Sequence, residues 1–61
     1  MGAAVGERVE VIAVEPGARA PVAPGDECRV VAIDEELVRV RLDSGAEHDV
    51  DPTQVRLRRV A

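Results

Sequence analysis

From Arg8 onward the chain alternates charged and apolar side chains. Val9 and Val11 fall between Arg8 and Glu10, the period of a half-buried strand over residues 8–14. The clearest alternation comes at 37–42, where Val38, Val40 and Leu42 share one face and Arg39 and Arg41 the other, because successive side chains on a strand point to opposite sides. Residues 46–50 and 55–60 read as two more strands, the last with Val55 and Leu57 inward and Arg56 and Arg58 outward. Residues 27–33 differ: Val30-Val31-Ala32-Ile33 is continuously apolar, which suits a strand that bends and contributes to two faces of a core. No segment carries a sustained helical apolar period. The pattern predicts an all-β domain of five short strands.

The connections sharpen this reading. Residues 15–26 hold Pro16, Pro21 and Pro24 together with Gly17 and Gly25. Proline lacks the N–H that a ladder needs, so a loop is predicted there, and a loop that long in a small domain is either functional or tied down by its own packing. Asp34-Glu35-Glu36 is a polar turn. Asp43-Ser44-Gly45 is a three-residue hairpin loop whose last position wants a left-handed residue, which Gly45 supplies. That loop sets a register: Leu42 opposite Ala46, Val40 opposite His48 and Val38 opposite Val50 on the inner face. On the outer face Arg41 then stands opposite Glu47 and Arg39 opposite Asp49. The charges match at both places, although nothing in the register argument asks for it. Asp51-Pro52-Thr53-Gln54 predicts one turn of 3₁₀ helix before the last strand. Residues 1–7 are expected to be a flexible N-terminus, leaving 8–61 as the folded domain.

Composition narrows the physics. Sixty-one residues make one domain, and a chain this short buries only about 60% of its unfolded surface. The apolar content is twelve Val, nine Ala, three Leu and two Ile, with no Phe, Tyr or Trp. Branched Val and Ile favour strands, but they fill little volume each. Two readings stay open: a marginal monomer, or a domain completed by self-association. One cysteine cannot form an internal disulfide, and one cysteine with one histidine cannot close a structural zinc site.

The net charge is −4, from twelve acids against eight arginines and no lysine, which does not suit a general polyanion binder. All-arginine usage with abundant Ala, Val, Gly and Pro points to a GC-rich bacterial genome. No apolar run approaches the roughly 20 residues that span a bilayer, and the start lacks the features of a signal peptide. Gly2 invites a myristoylation reading, but Glu7 stands where that motif wants Ser or Thr. The expectation is a cytoplasmic protein with a reduced Cys28 and no membrane partner.

Several stretches carry a family resemblance: Gly6-Glu7-Arg8-Val9, Ala20-Pro21 with Pro24-Gly25, Cys28-Arg29-Val30 with Ile33-Asp34, and Leu42-Asp43-Ser44-Gly45. In these the chain resembles a group of small bacterial and phage SH3-like domains of undefined activity, over nearly its whole length. The resemblance implies a five-stranded SH3-like barrel with a long first loop. The Pro-Gly to Ile-Asp stretch is also similar to the motif of KOW and Tudor-type barrels, several of which bind nucleic acid or protein tails. Cys28 stands where those motifs usually have Gly, so a bend there must be made differently.

Candidate chemistry is sparse. Ser44, His48 and Asp49 are triad residue types, but Ser44 falls in an exposed turn and His48 inward, with no oxyanion donors suggested. No enzymatic role, cofactor or metal is expected. Cys28 and His48 read as a core pair, and Asp34-Glu35-Glu36 as a solvated turn. Without aromatic residues, recognition of proline-rich peptides, methylated side chains or stacked bases has no platform. The remaining candidates are the first loop, with Arg19, Pro21 and Pro24, and a C-terminal cluster of Arg56, Arg58 and Arg59. They predict a non-catalytic interaction or assembly module whose partner is another protein or a second copy. The alternative is weak backbone contact with nucleic acid through Arg56, Arg58 and Arg59.

Overall fold

Valine at alternate positions is what builds the molecule. The computed structural model describes residues 4–60. It has five strands: β1 (Arg8–Val14), β2 (Glu27–Ile33), β3 (Val38–Leu42), β4 (Glu47–Val50) and β5 (Val55–Arg59). All neighbours are antiparallel in one sheet of order β4-β3-β2-β1-β5. The first and last strands are therefore side by side. β4 and β5 are the edges and are not hydrogen-bonded to each other, so the sheet does not close into a barrel.

A single sheet can bury its own inner face only by coiling, and two β-bulges supply the bend. Val11 pairs with Leu57 and Ala13 with Arg56, which leaves Ile12 as an extra residue in β1. Val30 pairs with Val40 and Ala32 with Arg39, which leaves Val31 as an extra residue in β2. A bulge raises the local twist. The apolar run in β2 is thus where the strand bends, as its sequence leads one to expect.

The core is eight valines and one cysteine: Val9, Val11, Val22, Cys28, Val30, Val38, Val40, Val50 and Val55, each at most 6% exposed. Val14, Ala20, Leu42 and Leu57 pack around them. Burying Cβ-branched side chains in a pleated sheet costs little rotamer freedom, which offsets their small volume.

The β3–β4 hairpin has the register its turn dictates. Val38 faces Val50, Arg39 faces Asp49, Val40 faces His48 and Arg41 faces Glu47. Gly45 sits at φ +94° and donates to the Leu42 carbonyl at 2.9 Å, while Leu42 donates to Ala46 at 2.8 Å. In place of the expected 3₁₀ helical turn there is a single hydrogen-bonded turn. The Asp51 carbonyl accepts from both Gln54 (3.0 Å) and Val55 (2.9 Å), and residues 52–54 are a hydrogen-bonded turn, not a helix. The Asp51 carboxylate accepts from the Thr53 N–H at 2.9 Å and from its hydroxyl at 2.7 Å, which caps the turn at its start, and β5 begins at Val55 before a second turn can follow.

Of the N-terminal stretch, residues 1–3 lie outside the described residues. Gly6 donates to the Val30 carbonyl at 2.7 Å and Val30 to the Glu7 carbonyl at 2.9 Å, so main-chain pairing with β2 begins ahead of β1.

Candidate interaction cleft and charged outer face

The first loop is built from two Pro-Gly turns. In 15–18 Ala18 donates to the Glu15 carbonyl at 3.0 Å, and in 23–26 Asp26 donates to Ala23 at 3.1 Å. The second turn is locked further, because the Asp26 carboxylate accepts from the Ala23 N–H at 2.9 Å. Gly25, at φ +96°, takes the position after proline where an L side chain is disfavoured. Gly25 also donates to Val11 (2.7 Å), and Val11 donates to Asp26 (2.8 Å). The end of the loop thus prolongs the β1–β2 ladder, although its proline and glycine content argues against ladder pairing. Between the turns Val22 is buried in the core. The loop is therefore tied down by packing, and Arg19, Pro21 and Pro24 are held exposed around Val22.

Where the loop leaves β1 it meets the turn before β5. Glu15 donates its N–H to the Gln54 carbonyl at 2.8 Å, and a cleft of about 400 Å³ lies at this junction. Ala13, Val14, Val55 and Leu57 line it together with Pro16 and Pro52. Glu15 and Arg56 also line it, and neither has an ion-pair partner among the described residues. The cleft thus combines small apolar side chains with one uncompensated charge of each sign. Arg19, Pro21 and Pro24 do not line it.

The C-terminal arginines do not act as one cluster. Arg58 faces Glu10 across β1–β5 and binds it at 2.7 Å. Arg59 turns to Glu7 at 3.4 Å. Arg56 alone of the three has no carboxylate partner among the described residues. Exposed pairs of this kind contribute at most about 1 kcal/mol each, so they occupy the guanidinium groups without fixing them.

On the outer face both expected cross-strand pairs form. Arg39 Nε donates to Asp49 at 2.9 Å and Arg41 Nε to Glu47 at 2.9 Å. The Arg39 hydrogen bond holds the Asp49 carboxyl below its ordinary pKa and raises that of Arg39. Hydrogen bonds from the Thr53 side chain and N–H do the same for Asp51. Arg8 binds both oxygens of Asp43 at 3.0 and 2.9 Å and Glu27 at 3.1 Å, which pushes its pKa further up, Asp43 contributing most.

Cys28 is fully buried, and burial raises its thiol pKa, with the Asp26 charge adding to the effect. A thiol so placed is a poor nucleophile. Cys28 lies on β2 opposite Leu42 and His48 on β4 opposite Val40, so β3 separates them. The Ser44 hydroxyl accepts from Ala46 N–H at 3.4 Å within its own turn. Among the described residues no group of three or more His, Cys, Asp and Glu side chains is placed to hold a metal ion, and no helix is long and apolar enough to cross a membrane.

Two features escape sequence reasoning. The cleft depends on the Glu15–Gln54 contact, for which the chain carries no local signal. Arg8 and Arg29 gain their setting only from the β1–β2 register, which a twelve-residue loop leaves undetermined. Comparison with protein-family models, curated proteins and solved structures returns no match.

Proposed function

We propose that the chain is a non-catalytic interaction module built as an SH3-like small barrel, which docks an extended segment of a protein partner at the cleft between the first loop and β5. The strand order, with first and last strands adjacent, the two bulges and the long first loop support the barrel reading. The observation that carries the docking reading is the cleft itself: an apolar lining of Ala13, Val14, Val55 and Leu57 beside Arg56 and Glu15, neither of which has an ion-pair partner among the described residues. β5 is an edge strand, and edges accept added strands through their free main-chain groups. A segment with a small aliphatic side chain and an acidic residue opposite Arg56 fits this chemistry. The nucleic-acid alternative draws less support, because Arg58 and Arg59 are engaged with Glu10 and Glu7.

The test is site-specific photo-crosslinking in the cell that makes the protein. A photoreactive residue at Gln54, on the cleft wall, is compared with one at Glu35, in the β2–β3 turn. A discrete adduct at 54 that Arg56→Glu removes, and that is missing at 35, supports the reading. Equal adducts at both positions, or none at 54, overturn it.

A further inference from the structure

The outer face of the sheet carries a pattern that neither the cleft nor the hairpin ion pairs absorb. Arg8 pairs in register with Arg29, and Arg29 with Arg41. Directly paired residues share a face, so three arginines stand abreast across β1, β2 and β3. At strand spacing they span about 10 Å. Like charges directly opposite one another are destabilising, and placing three together in a chain of net charge −4 demands compensation.

That compensation is uneven. Arg41, at one end, has Glu47; Arg8, at the other, has Glu27 and Asp43. Arg29, in the middle, has no carboxylate among the described residues. Its hydrogen-bond partner among the described residues is the Gly6 carbonyl, to which Nη1 donates at 2.7 Å. The rest of its planar donor fork has no partner among the described residues and the residue is exposed, while the arginines on the two neighbouring strands turn to their own carboxylates.

The geometry points to Arg29 as an oxyanion site, flanked by Arg8 and Arg41, that takes a phosphate monoester or inorganic phosphate. A guanidinium fork matches two oxygens of such a group. The phosphoryl dianion suits the site better than a carboxylate does, since it brings close to two charges and three acceptor oxygens to the free donors of Arg29, in a row whose two outer arginines are already ion-paired. This site lies on the outer face and does not depend on the docking reading for the cleft.

The test is NMR of the arginine Nε–H groups in the full chain at constant ionic strength. Inorganic phosphate, O-phosphoserine and acetate are titrated in parallel. The site predicts saturable shifts that are largest at Arg29, for inorganic phosphate, O-phosphoserine or both, with acetate at least about tenfold weaker. Which phosphate binds tighter tells the free ion from the ester. Arg29→Lys keeps the charge but loses the fork, and should weaken binding about fivefold or more while the amide spectrum stays folded. Arg56→Gln, outside the site, should leave binding unchanged. Non-saturable shifts spread evenly over all arginines, equal binding of acetate, or unchanged binding in Arg29→Lys would each overturn the site, leaving Arg29 as a strut for the Gly6 turn.

Discussion

Arg39 on β3 and Asp49 on β4 face each other across the hairpin and meet at 2.9 Å through the arginine Nε. The pair has a consequence for pH. The folded state holds the Asp49 carboxyl below its ordinary value, mainly through that hydrogen bond. A lowered carboxyl pKa stabilises the fold above the unfolded value, near pH 4, and the benefit is lost as pH falls through the folded value. Acid titration of the melting temperature should therefore show a steeper decline below about pH 4 in the native chain than in Asp49→Asn. Identical acid limbs would contradict the pairing.

Asp51 belongs to the same pH window by a different cause, its hydrogen bonds from Thr53. Thr53→Val removes the hydroxyl donor but keeps the shape. The Asp51 carboxyl should then titrate closer to the ordinary value, read directly from its side-chain carbon shift. No change on removing the hydroxyl would rule out that cause.

The valine core predicts severe costs for small deletions. Val30 and Val40 are paired in register and almost fully buried. Val30→Ala should cost about 2 kcal/mol, from lost transfer energy plus the cavity left behind. In a domain of this size that is a large share of the total, so urea unfolding should move to a much lower midpoint. Ile33→Ser, at a position 47% exposed, should shift it by no more than about 0.5 kcal/mol.

Gly25 isolates backbone strain from crowding. A Cβ there would meet nothing within 4 Å, yet φ is +96°. Gly25→Ala should therefore destabilise by about 1 kcal/mol through backbone conformation alone. A neutral result in thermal melts would mean that the second Pro-Gly turn relaxes freely.

How much of this was legible in the sequence follows from how far each feature reaches along the chain. The β3–β4 hairpin was legible to the residue, because a three-residue loop ending in Gly45 leaves one register and the valine alternation agrees with it. β1 was legible from Arg8 to Val14. The apolar run of β2 announced a bend, but the bulges themselves, at Ile12 and Val31, were not legible, because an extra residue inside an apolar run breaks no visible alternation. Arg58 and Arg59 read as a basic cluster, since their acid partners, Glu10 and Glu7, lie some fifty residues away in sequence. Val22 looked like one more loop residue until its burial identified it as the loop's anchor. The arginine row needs two registers at once, and only the fold supplies both.

The docking cleft is tested most directly by an amide NMR titration with short extended peptides at physiological salt. One peptide carries small aliphatic residues and Asp; its twin carries Lys in place of Asp. The acidic peptide should shift the amides of residues 13–16 and 53–57, its twin should not, and Arg56→Glu should reverse the preference. Shifts elsewhere on the sheet, or a preference that Arg56→Glu leaves unchanged, would contradict a docking site at this cleft.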